Sequence, residues 1–460
     1  MNKQVTILGA LVVTLIALVA GSAVTATAET VKVYEGSIAG AAYRAEVPAR
    51  WNGTLLLWSH GHYPPGFLPE EIELTNRPAT KQWLLDHGYA VAASNYRTPN
   101  GWAVKEALGD QIALLDWFGD NVGQPRRTIS AGTSMGGLIA VLLPERNPRR
   151  FDGVASLCGA NAGGLGFWNT ALDVSFAIKT LLAPGSDLPL VNITDPVGTE
   201  ARVREIVAAA LRTPRGQARL ALANAFLAIP GWSRAFESRP SDVSSQVNQQ
   251  ADWLENLIID TGWGAGRAGL EQRAGGNPTW NTGIDYRRQL ARSSERDLVR
   301  QAYHQAGLSL RADLDRLAAA PRIRPDADAV AYLARYGTPR GTTPAPVVTS
   351  HTLGDGGVVP EHASRYADQV HRSGNPGELR QFFVNRAGHC MFTAAEEIST
   401  YQALLSRIDA GHWNNTSPDA LNAAAARFAT PYHELFDWMT GQNGVATPAF
   451  ASDQPGVFLR

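Results

Sequence analysis

Residues 128–143 have the sequence TISAGTSMGGLIAVLL. The segment 128–132 predicts a short strand, and 135–143 is an apolar run typical of a buried helix. Between them, GTSMG at 132–136 matches G-x-S-x-G, which places a serine on a tight strand-to-helix turn. The helix dipole and the free N–H groups of the first turn favour negative charge there. We therefore predict that Ser134 is a nucleophile; the alternative is a Gly-rich turn whose serine caps the helix.

Composition excludes several classes of protein. The chain has 460 residues, of which 44% are hydrophobic and 18% charged, with a formal net charge of -1. This is a globular composition, long enough for one large domain with an insertion or for two domains. The near-zero net charge argues against a nucleic-acid partner. Two cysteines are too few for a disulfide-rich scaffold or a four-thiolate zinc site.

The first 28 residues have the features of a secretory signal peptide. Lys3 gives a basic start, 5–20 is almost wholly apolar, and Ala26-Thr27-Ala28 is a small-x-small cleavage site. The apolar run, about 16 residues, is shorter than the roughly 20 that span a membrane, although an uncleaved anchor is the alternative. No later stretch is long and apolar enough to span. We predict a secreted protein without stable membrane insertion after cleavage at Ala28.

Strand-like and helix-like segments alternate through 29–158. Apolar strand-like runs stand at 54–59, 90–94, 128–132 and 154–157, with helical spacing between them. This alternation predicts an α/β fold with a doubly wound, mostly parallel sheet and helices on both faces.

The alternation stops at 159–344, where we find helical segments punctuated by turns. Strand-like runs return at 345–351 and 379–384. We therefore predict a core domain formed by 29–158 and 345–440, with 159–344 as a helical cap inserted into it. The alternative is an independent helical domain. Residues 441–460 contain proline and glycine and are predicted to be an irregular tail.

The G-x-S-x-G turn in its strand–turn–helix setting resembles the α/β-hydrolase superfamily. The resemblance covers nearly the whole chain outside the signal peptide and the cap. It implies the chain order nucleophile, acid, histidine, with the last two on loops after late strands. A serine hydroxyl is a weak nucleophile at neutral pH and needs a base, which in turn needs an orienting group.

Asp355 and His389 fit the acid and the base. Asp355 follows the strand-like run 345–351 within GDGGVVP, and His389 follows the last strand within Ala387-Gly388-His389. The alternative for Asp355 is an ordinary turn aspartate, and for His389 an exposed loop histidine. Asp152 is the competing acid, but it precedes a strand and should lie at the other end of the sheet.

The segment His60-Gly61-His62-Tyr63 follows the run 54–59 and resembles the His-Gly-x oxyanion loop of the superfamily. The resemblance implies that backbone N–H groups of His62 and Met135 bind the oxyanion, with Tyr63 as the alternative to His62. His60 and His62 also have the spacing of a metal-binding pair. No carboxylate or third ligand accompanies them, so we expect neither a metal nor a cofactor.

Cys158 ends one predicted strand and Cys390 directly follows His389. Both should lie at the sheet edge that carries the active site, and an exported protein meets oxidising conditions. We predict a Cys158–Cys390 disulfide; the alternative is two buried thiols. Secreted tannases and feruloyl esterases resemble this arrangement but pair the second cysteine with one directly before the serine. Here Thr133 stands there, which argues against tannase-type substrates.

Together these residues predict a secreted serine hydrolase that cleaves small-molecule or polymeric carboxylic esters. One alternative is a serine peptidase of the prolyl-oligopeptidase or tripeptidyl-aminopeptidase type, since those enzymes share Ser-Met-Gly-Gly. Another is a non-catalytic binding protein with the same fold. Some tryptophans of the cap are expected to line an apolar pocket, while most should form the core of the cap. These are Trp168, Trp232, Trp253, Trp263 and Trp280.

Overall fold

The computed structural model describes residues 30–373 and 375–460. The predicted signal peptide, residues 1–28, lies outside the described residues. Within the described part of the chain, no helix has the length and apolar character that crossing a membrane requires.

A nine-stranded sheet forms the centre of the molecule. Its strand order is β1-β2-β4-β3-β5-β6-β7-β8-β11. The pairs from β4 through β3, β5, β6 and β7 to β8 are parallel, whereas β1, β2 and β11 pair antiparallel at the edges. The predicted α/β fold with a mostly parallel sheet is thus confirmed. The strands are β1 Lys32–Ile38, β2 Ala41–Val47, β3 Thr54–Ser59, β4 Ala90–Ser94, β5 Arg127–Thr133, β6 Gly153–Leu157, β7 Val347–Gly354, β8 Leu379–Ala387, β9 Glu434–Asp437, β10 Gln442–Val445 and β11 Phe450–Ala451.

The central strands are continuous apolar runs because helices cover both faces of the sheet. Every residue of β3, β4 and β6 is buried, as expected for strands of a doubly wound sheet. Parallel strands end at the same edge of the sheet, and the loops that follow β5, β7 and β8 therefore meet there. The covering helices are α1 Pro78–Asp86, α2 Val104–Asn121, α3 Met135–Arg146, α14 Glu361–Ser373, α15 Ala394–Ala410 and α16 Pro418–Ala425.

Between β6 and β7 the chain forms helices without any strand. We call this segment, 158–346, the helical insertion; it contains the residues predicted as a cap. It has a hydrophobic core of its own, which includes Trp253 and Trp263. Its helices are α4 Gly163–Leu182, α5 Pro196–Leu211, α6 Pro214–Ala225, α7 Val243–Trp253, α8 Ile259–Trp263, α9 Ala265–Ala274, α10 Tyr286–Arg292, α11 Arg296–Gln305, α12 Leu310–Ala319 and α13 Ala327–Gly337, with a π-helical turn at Leu254–Ile258.

The C-terminal part differs from the sequence-based expectation. The sequence from 418 to 439 predicts a single helix, but α16 ends at Ala425 and a 3-10 turn at Thr430–His433 leads into β9. Pro431 lacks the N–H that a continuing helix requires. The tail 441–460, expected to be irregular, contributes β10, which pairs with β9, and β11, which pairs with β8. Such short strands depend on distant partners and leave little local signal in the sequence.

Candidate active site

Ser134 occupies the turn between β5 and α3 with φ 57° and ψ -122°. This left-handed conformation is strained for a residue with a side chain and persists only where the surroundings enforce it. The two glycines of the motif make the turn possible. A Cβ atom on Gly136 would lie 1.9 Å from the carbonyl oxygen of Ser59, and one on Gly132 would lie 2.4 Å from that of Gly136. Strand and helix therefore approach more closely than any side chain would permit.

The structure brings Ser134, His389 and Asp355 together. The Ser134 Oγ lies 2.8 Å from His389 Nε2, and His389 Nδ1 lies 2.7 Å from Asp355 Oδ2. Because a carboxylate only accepts hydrogen bonds, His389 donates its Nδ1–H to Asp355 and leaves the lone pair of Nε2 for the Ser134 hydroxyl. This arrangement prepares the imidazole to take the hydroxyl proton.

Asp355 is fully buried and fixed from two sides. Its Oδ1 accepts hydrogen bonds from the backbone N–H groups of Gly357 and Val358, both at 2.9 Å. The helical insertion closes the other side of this loop. A Cβ atom on Gly356 would lie 2.4 Å from the ring of the buried Trp253. The acid loop therefore depends on the helical insertion for its position.

The histidine loop is held by the disulfide and by two further groups, Thr352 and Arg77, which the sequence did not indicate. Thr352 Oγ1 donates to the carbonyl oxygen of Gly388 at 2.6 Å. Arg77 Nη2 donates to the carbonyl oxygen of Cys390 at 3.2 Å. Cys390 is joined by a disulfide to Cys158, as the sequence suggested. These contacts fix both sides of His389.

One group of described residues has nitrogen and sulfur atoms close enough to hold a metal ion: Cys158, His389 and Cys390. The two sulfurs are bonded to each other, so neither is available as the thiolate that a metal requires.

The loop after β3 lies directly beside Ser134. A Cβ atom on Gly61 would come within 3.2 Å of Ser134 Cβ. His60 donates its Nδ1–H to the carbonyl oxygen of Gly61 at 2.7 Å, and its ring stacks between those of Tyr63 and Tyr96 at 4.0 and 4.1 Å.

The bond from His60 also sets the direction of an N–H group. The C=O and N–H of one trans peptide unit point in opposite directions. With the Gly61 oxygen turned toward His60, the N–H of His62 points away from His60. This N–H and that of Met135, the first residue of α3, are the two donors implied for the oxyanion. The backbone N–H of Tyr63 is the alternative donor to that of His62. The side chain of Tyr63 donates its hydroxyl to Glu73 at 2.9 Å.

The side chain of His62 reaches the same site. Its Nε2 is shielded from solvent and has no hydrogen-bond partner among the described residues. Burial lowers the pKa of His62, and Arg273 lowers it further, whereas Asp260 acts in the opposite direction. Its surroundings therefore favour the neutral imidazole more than water does.

A cavity of about 60 Å³ opens beside Ser134. Its walls are mainly aromatic and aliphatic, with few polar groups, as in many small-molecule sites. Of the five tryptophans considered from the sequence, Trp168 lines this cavity. Trp253 and Trp263 are buried in the helical insertion, Trp232 lines a different cavity, and Trp280 is half-buried. The lining residues are His62, Trp102, Ser134, Met135, Ala160, Phe167, Trp168, Leu257, Ile258, Thr261, Gly357, Val358 and His389.

Several cavity residues were missed from the sequence. Trp102 and Phe167 follow β4 and β6, and their position after parallel strands was a usable signal, because ligands bind at that edge. Leu257 and Ile258 belong to the π-helical turn of the insertion. Such turns are frequent at functional sites, but nothing in the local sequence distinguishes this one from an ordinary helix.

The strand order, the strained serine turn and the position of the acid and histidine loops define the α/β-hydrolase fold, which confirms the resemblance inferred from sequence. The chain is similar in sequence to an o-phthalyl amidase of Xanthobacter agilis, with 28% identity over 422 residues, 84% of this chain and 89% of that protein. No family model matches the chain. The fold and this relative support an enzyme of the hydrolase class.

Solved structures similar to this chain include two esterases and a peptidase. An esterase from Aspergillus oryzae has a TM-score of 0.37 and 13% identity, covering 83% of this chain and 79% of that one. The rice cell wall degrading esterase LipA from Xanthomonas oryzae has a TM-score of 0.36 and 13% identity, covering 80% and 83%. An acylaminoacyl peptidase from Pyrococcus horikoshii has a TM-score of 0.37 and 10% identity, covering 78% and 38%.

Proposed function

We propose that this protein is an exported serine hydrolase that cleaves carboxylic esters through an acyl-enzyme on Ser134. The observation that supports the proposal is the continuous hydrogen-bonded path from Asp355 through His389 to the Ser134 hydroxyl, at 2.7 and 2.8 Å. Spatial convergence of three residues so far apart in sequence is the geometry that activates a serine.

In the first half of the reaction, His389 Nε2 takes the hydroxyl proton while Ser134 Oγ attacks the ester carbonyl. Asp355 stabilises the imidazolium and keeps its orientation without taking the proton. The N–H groups of His62 and Met135 bind the negative oxygen of the tetrahedral intermediate. His389 then gives its proton to the departing alcohol, which leaves an acyl group on Ser134.

In the second half, a water molecule loses a proton to His389 and attacks the acyl carbonyl. The same two N–H groups bind the second oxyanion, and the proton returns from His389 to Ser134 Oγ as the acid is released. The cavity of about 60 Å³ beside Ser134 favours a compact, apolar or aromatic acyl group, because Trp102, Phe167 and Trp168 form its walls.

A second candidate activity is amide cleavage. The o-phthalyl amidase to which the chain is similar is named for an amide substrate with an aromatic acyl part. Amide hydrolysis uses the same three residues, but His389 then protonates a departing nitrogen instead of an oxygen. The proposed function should therefore be tested with a panel of three kinds of substrate. These are simple aryl esters, aminoacyl anilides and a phthalyl amide.

Export is part of the proposal. It is supported by the signal-peptide features of residues 1–28 and by the disulfide between Cys158 and Cys390, a bond typical of oxidising compartments. Secreted protein should begin at Glu29 when its N-terminus is sequenced. Protein found only inside cells, or with residues 1–28 retained, contradicts export.

The chemistry is tested by labelling and turnover together. A fluorophosphonate probe should label the wild-type protein and fail to label Ser134→Ala. The panel should give hydrolysis of p-nitrophenyl esters that Ser134→Ala lacks. Hydrolysis of the amides alone would replace the ester assignment with the amidase one, and aminoacyl-anilide cleavage alone would favour a peptidase. Absence of labelling and of turnover on every substrate would favour a binding protein.

A further inference from the structure

A larger cavity, of about 760 Å³, lies away from Ser134 where three parts of the molecule meet. The helical insertion contributes Trp232 and Phe236, the segment after β7 contributes Pro360 and Glu361, and the C-terminal segment contributes Asp453. It shares no lining residue with the cavity beside Ser134. Its volume falls within the range typical of small-molecule sites.

Glu361 is the unusual group in the wall of this cavity. It begins α14, is only 5% exposed and has no cationic partner among the described residues. Ser294 Oγ donates to its Oε1 at 2.9 Å, whereas Oε2 is shielded from solvent and has no hydrogen-bond partner in the described chain. A buried carboxylate oxygen without a partner is energetically unfavourable.

The other charged groups of this wall leave an excess of negative charge. Arg239 is paired with Glu295 at 3.0 Å, and Arg386 is engaged by Glu396 at 2.6 Å. Asp453, exposed at the rim, has no cationic partner within the described ranges. The pKa of Glu361 is raised to about 7, mainly by burial and to a smaller extent by the charges of Glu295 and Asp453. A bound cation would offset this excess of negative charge and would give the Glu361 carboxylate a charged partner.

We propose that this cavity binds a small organic ammonium ion, with its charged group at Glu361 near Asp453 and its apolar body against Trp232 and Phe236. An organic cation fits better than a divalent metal ion. Metal binding needs several ligand atoms close together, and the described residues form no such group around Glu361. Aromatic walls suit the apolar part of the ligand and also attract its positive charge.

Benzylammonium chloride is the probe, and benzyl alcohol is its neutral counterpart of similar shape. Isothermal titration calorimetry and thermal unfolding of the full chain should detect saturable binding and a rise in Tm with benzylammonium, at ionic strength matched with sodium chloride. Benzyl alcohol and calcium chloride should have no such effect. The ligand stabilises because it binds the folded chain across three segments that separate on unfolding.

Glu361→Gln keeps the shape of the side chain and should weaken benzylammonium binding by about tenfold or more, since it removes a charge-assisted contact. Glu205→Gln, at an exposed position outside the cavity, is the matched control and should bind like wild type. Asp453→Asn changes a rim residue and should reduce the affinity even if Glu361→Gln fails to fold. Unchanged affinity in both cavity variants, equal binding of benzyl alcohol, stabilisation by calcium instead, or no saturable binding would each overturn the proposal. All measurements can be repeated with Ser134→Ala, so they do not depend on the proposed chemistry.

Discussion

A disulfide joins Cys158, directly after β6, to Cys390, directly after His389. The bond therefore ties the histidine loop to β6, which pairs with β5, the strand directly before Ser134. The Sγ of Cys390 lies 3.5 Å from His389 Nε2. Any movement of this sulfur changes the surroundings of the imidazole.

We expect Cys158→Ser/Cys390→Ser to lose both stability and activity. Closing 232 residues of chain restricts the unfolded state by about 5 kcal/mol in the chain-entropy account. Without the disulfide, the loop keeps its contacts from Thr352 and Arg77, so kcat should fall about ten- to hundredfold, as for a small displacement of a catalytic group, and not vanish. Urea unfolding and ester turnover measure the two effects.

The reductant dithiothreitol provides the control for this prediction. The chain has two cysteines, so the reductant has a single disulfide to act on. Dithiothreitol should lower the midpoint of urea unfolding for the wild type and leave the midpoint of the double variant unchanged. A wild-type midpoint that is insensitive to complete reduction would show that the disulfide does not stabilise the fold.

The choice of Asp355 over Asp152 as the acid is tested by two matched variants. Asp355→Asn should lower kcat by about ten-thousandfold, because an amide no longer holds His389 in the required tautomer. Asp152 accepts a hydrogen bond from the N–H of Thr128 at 2.8 Å, at the opposite end of β5 from Ser134. Asp152→Asn should stay within a fewfold of wild type. If kcat fell more in Asp152→Asn than in Asp355→Asn, Asp355 would not be the acid that orients His389.

The sequence alone allows prediction of those site residues that stand in a local motif or directly follow an apolar strand. Ser134 stands in a motif that requires glycines on both sides, and the structure gives the reason in the contact between Gly136 and the Ser59 carbonyl. Asp355 and His389 follow strands whose apolar runs are visible in the sequence. Parallel strand ends converge at one edge, so the three residues were expected to meet.

The remainder depends on contacts between distant segments. Nothing near Trp253 indicates that its ring packs on Gly356, and nothing near Arg77 indicates its bond to the Cys390 carbonyl. The helical insertion shows only helical periodicity, which predicts helices but not the surface against which they pack. Its contribution to the cavity therefore required the structure.

The contact between Gly356 and Trp253 gives a prediction about the helical insertion. A Cβ atom at residue 356 would lie 2.4 Å from the ring of Trp253, which is fully buried and donates its Nε1–H to the Trp232 carbonyl. Gly356→Ala should reduce the free energy of unfolding by about 1–3 kcal/mol through overpacking. It should also lower kcat, because the adjacent Asp355 shifts with the loop.

Gly269→Ala is the control for this substitution. Nothing lies within 4 Å of a Cβ atom at this helical position in α9, so alanine should stabilise by about 0.5–1 kcal/mol. Adding Trp253→Leu to Gly356→Ala should restore part of kcat by making room. A Gly356→Ala protein with wild-type kcat and stability would mean that the loop and the ring separate freely.

A buried histidine behind the acid should make stability sensitive to acid. Burial lowers the pKa of His351 to about 4. The unfolded chain takes up this proton near pH 6.5, so the free energy of unfolding should fall as pH drops from about 6.5 to about 4. The loss over the whole interval is on the order of 3 kcal/mol for one such group.

Two buried carboxyl groups increase the free energy of unfolding as the pH falls, which is the opposite of the effect of His351. The reason is that burial raises the pKa of Glu361 and of Glu397 to about 7. The test is therefore a difference between variants, measured as urea midpoints at pH 7 and pH 5. His351→Gln retains a donor for the Val358 carbonyl and should lose less stability between these two pH values than wild type. The exposed His412→Gln should match wild type. Equal losses in all three proteins would remove His351 as the cause.

The stacking of His60 between Tyr63 and Tyr96 allows the oxyanion loop to be tested without removing an aromatic ring. His60→Phe can keep the stacking but loses the N–H that holds the Gly61 carbonyl at 2.7 Å. The peptide that carries the His62 N–H then turns more freely, and kcat should fall by up to about a hundredfold, as for loss of one oxyanion donor, with little change in KM. His87 has the same pair of contacts elsewhere: its ring stacks on that of Trp83 at 4.0 Å and its Nδ1–H bonds the Trp83 carbonyl at 2.8 Å. His87→Phe should therefore keep the kcat of the wild type. If His60→Phe also keeps it, the orientation of the His62 N–H does not depend on His60.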